Sequence, residues 1–158
     1  MNLNSNEPQW ELNNFSFETV PVDIGSILEV FHRFNMTHKI EFTLLTRFAI
    51  EQVNRDLCNK PYPADTLSFP PGSSSEPGQV LLCPREILVY CLINKVPSTV
   101  RWTHILVHSI LHTYGYAHHQ LADFDKMLAM ERKILAHCPV FQNYTLLDDY
   151  TYQYQAQE

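Results

Sequence analysis

The chain has 158 residues, 45% of them hydrophobic, and a formal net charge of -6 at pH 7. This length and composition are typical of one globular domain that can bury a substantial core. The first residues have neither the basic nor the apolar region of a secretory signal, and no apolar run reaches the roughly 18 residues of a membrane span. We therefore expect a protein of the cytoplasm or of an organelle, outside the membrane. The acidic balance also argues against broad, non-specific binding of nucleic acid, so any RNA contact should be local.

Hydrophobic patterning divides the chain into a flexible N-terminal arm over residues 1–14, a single domain over residues 15–138 and a polar, tyrosine-rich tail over residues 139–158. Within the domain, apolar periodicity and turn residues predict five helices and three strands. In chain order these are helix 22–34, strand 40–46, helix 48–57, strands 65–70 and 80–83, and helices 84–94, 99–114 and 123–137.

Widely spaced cysteines indicate that disulfide bonds do not hold this chain together. They form no C-x-x-C pair, and their spacing does not indicate a paired framework. We expect all four to be reduced and most of them buried: Cys58, Cys83, Cys91 and Cys138.

The segment HSILHTYGYAHH at 108–119 carries the clearest chemistry. His108 and His112 are four residues apart, so they share one helix face with Cβ atoms about 5–6 Å apart. Gly115 can end the helix and let the chain turn back, which brings His118 toward the other two. Three neutral imidazoles with an open fourth position are typical of a catalytic zinc ion rather than a structural one. The sequence therefore predicts one zinc per chain, although three imidazoles do not select strongly against other divalent ions.

Two more histidines flank this cluster. His104 lies one turn before the first predicted ligand, and His119 follows the third. Either could be a supporting group or a substitute ligand, although a histidine is more often satisfied by ordinary hydrogen bonds.

The absence of a glutamate between the histidines limits the kinds of hydrolysis that such a site could catalyse. No glutamate lies between the first two histidines, so this is not an H-E-x-x-H metalloprotease. A hydrolase would use a metal-bound water, whose pKa zinc lowers to about 7, with an acid–base group nearby. Asp65 and His119 are candidates for that group, as is Asp123. The more common roles of the two aspartates are as turn and helix N-cap residues.

Two separated segments resemble the YbeY family of metal-dependent endoribonucleases. HSILHTYGYAHH is similar to the family's H-G-x-L-H-L-x-G-Y-D-H, and YPADTLSFP at 62–70 is similar to Y-P-T-D-V-L-S-F-P. A V-N-R stretch at 53–55, a glycine-led strand start at Gly78 and an M-x-x-x-E helix at Met127 to Glu131 follow the family's order. The resemblance covers roughly residues 40–136.

The resemblance implies an α/β (α+β) fold in which helices pack on a small, mostly parallel mixed sheet. It implies that His108, His112 and His118 hold the metal ion. It also implies cleavage of single-stranded RNA in the 3' end maturation of small-subunit rRNA and in ribosome quality control. The expected partners are then rRNA and the ribosome or its proteins.

The chain departs from the family's pattern at several polar positions. Cys58 stands where the family has an arginine, Ala117 where it has an aspartate, and Gln79 where an aspartate follows the strand glycine; Ser109 replaces a glycine. These departures leave the three histidines intact but remove groups thought to serve RNA binding or catalysis. A zinc-stabilised protein that binds RNA or a ribosomal partner without cutting it therefore remains an alternative.

Basic and aromatic residues near the predicted site are candidates for RNA contacts. Arg85 and Arg101 could bind phosphates, although solvated surface charge is the more common role of such residues. Phe69 could stack on an unpaired base, which is how single-stranded RNA is usually held, or belong to the core.

Overall fold

The structure is a computed structural model that describes residues 9–141. Residues 1–8 and 142–158 lie outside the described part. In chain order the elements are β1 (Trp10–Asn14), α1 (Ile24–Arg33), β2 (Ile40–Leu44), α2 (Arg47–Cys58), β3 (Thr66–Phe69), β4 (Gly78–Leu82), α3 (Pro84–Asn94), α4 (Ser98–Thr113), α5 (Leu121–Leu135) and a 3-10 turn (Pro139–Phe141).

The four strands form one sheet in the order β1-β2-β4-β3. β1 and β4 both pair with β2 in parallel, and β3 pairs with β4 in the antiparallel direction. Parallel neighbours need long crossover connections, which α1 and α2 provide. The predicted α/β (α+β) fold with a small, mostly parallel mixed sheet packed by helices is confirmed.

The central strand β2 shows why this sheet forms. Ile40, Phe42 and Leu44 are fully buried, while Glu41 and Thr43 between them are only partly buried. Successive side chains of a strand point to opposite faces, so this alternation puts one apolar face against the helices.

The predicted flexible arm is wrong over residues 10–14, because they form the edge strand β1. Its exposed residues are Glu11, Leu12 and Asn14, so the strand has no continuous apolar face that local patterning could detect. Trp10 supplies the packing, since its ring meets Phe42 edge-on with the ring centroids 6.2 Å apart. The predicted tail boundary at 139 is also too early, because the 3-10 turn continues the domain to the buried Phe141.

Helix α4 lies in the middle of the molecule, and nearly every residue along it is buried. Its apolar residues pack between the sheet and other helices, and its buried polar residues, such as Arg101 and Ser109, have polar partners there. The C-terminal end of α4 comes so close to the start of β4 that a Cβ on Gly78 would be 2.9 Å from the Cβ of Thr113. The last turn of α4 therefore lies against the amino end of β4.

Two smaller predictions concern the cysteines and the membrane. All four cysteines are free, and Cys83, Cys91 and Cys138 are buried while Cys58 is partly exposed. Among residues 9–141, none of the helices combines the length and the hydropathy that a membrane crossing requires.

Candidate metal centre

The three predicted ligands converge. The imidazole ring centroids of His108 and His112 are 4.6 Å apart, and the His118 ring lies 5.5 Å from the first and 5.0 Å from the second. One ring nitrogen from each histidine lies within 4.8 Å of the others. The structure thus brings together side chains from the last turns of α4 and from the loop beyond it.

The turn after α4 brings the third histidine back to the other two. The carbonyl of Leu111 accepts hydrogen bonds from the backbone N–H groups of Tyr114 and Tyr116, which closes the end of the helix. Gly115 has φ +89, a conformation that L side chains rarely adopt. The predicted role of this glycine in ending the helix is confirmed.

Hydrogen bonds fix which nitrogens face the centre of the cluster. His112 Nδ1 lies 2.8 Å from the backbone carbonyl of Tyr116, and His108 Nδ1 contacts the Glu131 carboxylate. Both partners are acceptors, so each neutral imidazole carries its proton on Nδ1 and leaves a lone pair on Nε2. The two Nε2 atoms are 3.0 Å apart.

This nitrogen arrangement fits a bound cation. Two lone pairs that face each other at 3.0 Å repel unless a proton or a metal ion lies between them. Zinc–nitrogen bonds of about 2.0–2.1 Å at tetrahedral angles place neighbouring nitrogens about 3.3 Å apart. Burial, followed by the nearby His108 ring, lowers the pKa of His112 to about 4. His112 is therefore neutral near pH 7, as metal binding requires.

Glu131 is the residue that sequence reasoning missed. It is 2% exposed on α5, and its two carboxylate oxygens face His104 Nε2, at 3.4 Å, and His108 Nδ1. Burial alone would raise the pKa of Glu131, but the hydrogen bonds from the two histidines outweigh it and hold the pKa at about 2. The available signal was a glutamate on the same helix face as Met127 and Ile134, which are core residues.

The structure brings Asp65 and Arg101 together but does not place them on an open RNA surface. The Arg101 guanidinium lies 2.9 Å from the Asp65 carboxylate, and its side chain is 5% exposed. The same guanidinium also lies 3.6 Å from the ring centroid of Tyr90. Asp65 therefore holds a buried cation, and Arg101 is not presented to solvent as a phosphate ligand.

The other predicted RNA and proton-transfer residues lie in different places. Arg85 is exposed, forms an ion pair with Glu18 at 3.3 Å and follows the carboxyl end of β4. Phe69 ends β3 opposite Gln79, at the amino end of β4 where α4 also ends. His119 is exposed, and its ring centroid is 5.8 Å from that of His118. Phe69 and His119 thus lie on the histidine side of the sheet, and Arg85 lies at the opposite end.

The structure shows the neighbours of two residues that differ from the family pattern, Ser109 and Ala117. Ser109 is fully buried, and its hydroxyl lies 2.7 Å from the hydroxyl of Thr66 on β3. Ala117 borders an open cavity of about 390 Å³ that Asp123 and Lys126 of α5 also line. The carboxylate of Asp123 therefore lines the same cavity as Ala117, although it comes from a different element.

Fold and site together define an α+β protein whose central helix and following turn form a three-histidine candidate metal centre. A family profile described as Endoribonuclease YbeY matches residues 3–139 of the chain. The chain belongs to the YbeY family.

Individual relatives agree with this assignment. A protein of Halorhodospira halophila named Endoribonuclease YbeY is 36% identical over 92 residues, which are 53% of this chain and 60% of that protein. A relative of the same name from Alkalilimnicola ehrlichii is 30% identical over 102 residues, or 60% of this chain and 61% of its own. The chain thus spans about three fifths of the length of these curated relatives.

A solved structure supports the fold. The solution structure of TM1509 from Thermotoga maritima matches with a TM-score of 0.61 and covers 87% of this chain and 95% of that chain. At 16% sequence identity this likeness bears on the fold alone.

Proposed function

We propose that this chain is a metal-dependent endoribonuclease that cleaves single-stranded RNA in the 3' end maturation of small-subunit rRNA and in ribosome quality control. Its partners would then be rRNA and the ribosome or ribosomal proteins, in the cytoplasm or an organelle. The observation that carries the proposal is the convergence of the His108 and His112 Nε2 lone pairs, 3.0 Å apart, in a chain of the YbeY family.

The site needs one metal ion per chain, for which zinc is the proposed identity. His108, His112 and His118 would hold it through neutral ring nitrogens. Held by these three residues, zinc would supply Lewis-acid chemistry and would lower the pKa of a water molecule to about 7. The backbone carbonyl of Tyr116 keeps His112 in the orientation that this binding requires.

Three further residues would supply what a ribonuclease also needs. The exposed ring of His119 lies beside His118 and can accept or donate a proton at a ring nitrogen. Asp123 offers a carboxylate in the cavity next to Ala117. Phe69, at the same end of the sheet, is the proposed stacking surface for an unpaired base. Because Asp65 already holds Arg101, we assign it no proton-transfer role.

A second, non-catalytic function is supported by the lack of exposed positive charge at two positions, Cys58 and Arg101. Cys58 at the end of α2 provides no guanidinium, and Arg101 is bound inside the protein by Asp65. A chain with an intact metal centre but without exposed cations at these two positions could bind RNA or a ribosomal protein without cutting it. In that case the metal contributes folding energy rather than catalysis.

An RNA cleavage assay separates the two functions. The full chain is stripped with a chelator, reloaded with zinc and offered an end-labelled RNA in single-stranded and duplex form. The enzyme proposal predicts endonucleolytic cuts in the single strand that disappear with chelator and return with zinc. Loss of groups that merely support a metal ligand costs about 10–100-fold, so loss of the ligand in His112→Ala should lower the rate by at least about 100-fold.

The matched control is His32→Ala, which removes a partly buried histidine from α1. It should cleave at the wild-type rate. RNA binding with no chelator-sensitive cleavage by the reloaded wild type would contradict the enzyme proposal and favour the non-catalytic function.

A further inference from the structure

A buried carboxylate contacts one of the three histidines of the candidate metal centre. Glu131 reaches from α5 to the inner edge of α4, where it is 2% exposed. Charged carboxylates are almost never buried to this extent unless they are paired. Its partners are the two imidazoles of His104 and His108, which are one helical turn apart on α4.

The contact between Glu131 and His108 has a chemical consequence for the opposite nitrogen. An ionised carboxylate accepts hydrogen bonds and donates none, so the proton between the two groups belongs to His108 Nδ1. When His108 is in the neutral form that metal binding requires, this is its one ring proton, and Nε2 is the atom with the free lone pair. That atom faces the His112 Nε2 atom at 3.0 Å.

His104 holds the other oxygen of the same carboxylate. It is 1% exposed, and its Nε2 lies 3.4 Å from the second oxygen of Glu131. The planes of the His104 and His108 rings meet at 67°, with the ring centroids 6.0 Å apart. The carboxylate is thus held from two directions, which limits rotation about its side-chain bonds.

Hydrogen bonds explain the arrangement of His104, His108 and Glu131 better than a metal ion bound between them. His104, His108 and Glu131 also form a group of potential ligand atoms within 4.8 Å of one another. However, the direct hydrogen bond between Glu131 and His108 Nδ1 leaves no space for an ion between these two atoms. Metal-bound histidines commonly donate their second ring N–H to a carboxylate, which is the arrangement present here.

We propose that Glu131 is a positioning residue that holds His108 in the Nδ1–H tautomer and thereby sets the metal affinity of the centre, with His104 fixing the carboxylate. The inference rests on the metal centre of the proposed function. It assigns Glu131 and His104 no contact with metal or RNA. Both act through His108.

The test compares zinc affinities of full-length variants in competition with a chromophoric chelator. Glu131→Gln keeps the size of the side chain but loses the charge and half of its acceptor capacity. Its zinc affinity should be about 10- to 100-fold lower than that of the wild type, as is usual for such supporting groups. Glu29→Gln, at an exposed position of α1, is the matched control and should bind zinc as the wild type does.

His104→Gln tests the third member of the network. It should weaken zinc binding by roughly tenfold or less, because the carboxylate keeps its contact with His108. The double variant should bind zinc about as poorly as Glu131→Gln alone, since residues of one network are not additive. Additive losses would contradict an action through one shared carboxylate.

A measurement on the unaltered protein keeps the proposal testable if Glu131→Gln fails to fold. Long-range proton–nitrogen NMR correlations of the metal-free wild type report which imidazole nitrogen carries the proton. His108 should show the proton on Nδ1. An Nδ1 atom without a proton, or wild-type zinc affinity in folded Glu131→Gln, would overturn the role of Glu131 alone. A wild type that binds no zinc would instead overturn the metal centre on which the proposed function depends.

Discussion

Ser109 brings a hydroxyl into the interface between α4 and β3, at a position where the YbeY motif has glycine. The residue is fully buried, and its hydroxyl lies 2.7 Å from the Thr66 hydroxyl, which itself donates to the Leu81 carbonyl at 3.0 Å. Ser109 is therefore the donor in the pair. The added hydroxyl is satisfied and ties the histidine helix to the sheet.

Replacing this serine should cost little. Ser109→Ala removes one buried hydrogen bond but leaves no donor unsatisfied, since Thr66 keeps its bond to the Leu81 carbonyl. The free energy of unfolding in urea should fall by about 1 kcal/mol. Ser75→Ala, in the exposed loop before β4, should leave it unchanged within about 0.5 kcal/mol. A gain in stability for Ser109→Ala would show that the hydroxyl strains the interface instead.

His38 gives the protein a pH dependence that lies outside the metal ligands. Its ring stacks on Tyr114 with the centroids 3.7 Å apart, and its Nε2 lies 2.9 Å from the Thr113 hydroxyl. Burial lowers the pKa of His38 below its ordinary value of 6.5. The unfolded chain therefore takes up a proton at this residue at a higher pH than the folded one. Its contribution to stability is complete above about pH 6.5 and is lost as the pH falls toward the folded-state pKa.

A variant isolates this contribution. In His38→Gln, the loss of unfolding free energy between about pH 7.5 and pH 5.5 should be smaller than in the wild type. The measurement is urea unfolding at both pH values with a chelator present, so that metal binding does not add its own pH dependence. An equal or larger loss in the variant would contradict the assignment.

Among the connections between elements, the turn between α4 and α5 places His118 close to the other two histidines. Gly115 has φ +89, and a Cβ built on it would meet no atom within 4 Å. The cost of a larger residue is therefore one of backbone conformation rather than of contact.

The stability lost on replacing Gly115 should depend on how well the new residue tolerates a positive φ, and not on the size of its side chain. Gly115→Ala should lower the free energy of unfolding by about 1–2 kcal/mol, and Gly115→Asn by less, because asparagine tolerates positive φ better. Both values come from urea unfolding of the metal-free protein. Equal losses for the two variants would mean that the turn does not require this conformation.

The elements that sequence patterning predicted well are those with a strong apolar period. Ile40, Phe42 and Leu44 identify β2, and the apolar run around the histidines identifies α4. β1 was missed because its residues are mostly polar and it is recognisable only by its pairing with β2. A single edge strand buries little of its own surface, so the stabilising partner is invisible in the local sequence.

In the candidate site too, local sequence spacing predicts some contacts, and others depend on tertiary packing. The spacing of His108, His112 and His118 encodes their convergence, because two share a helix face and the third follows a glycine turn. The M-x-x-x-E pattern contains Glu131 but does not predict its role, because its link to His108 spans 23 residues and two helices. Arg101 was expected to contact RNA, but its ion pair with Asp65 spans 36 residues and depends on how α4 packs beside β3. Contacts of this kind follow from tertiary packing, which periodicity does not report.

For the whole molecule, a metal ion held between α4 and the following loop should stabilise the fold. Free zinc at about 100 times its dissociation constant adds about 2.7 kcal/mol to the free energy of unfolding. The thermal midpoint should then fall by about 5–10 °C when a chelator is added. Glu131→Gln, with weaker zinc binding, should show a smaller fall than the wild type at the same zinc concentration.

The zinc content of the purified chain tests the central claim most directly. After gel filtration in zinc-containing buffer and removal of free metal, elemental analysis should find about one zinc per chain in the wild type and in His32→Ala. His112→Ala, confirmed to be folded, should retain essentially none. A wild type without zinc, or a His112→Ala chain that keeps the full amount, would contradict a metal centre formed by His108, His112 and His118.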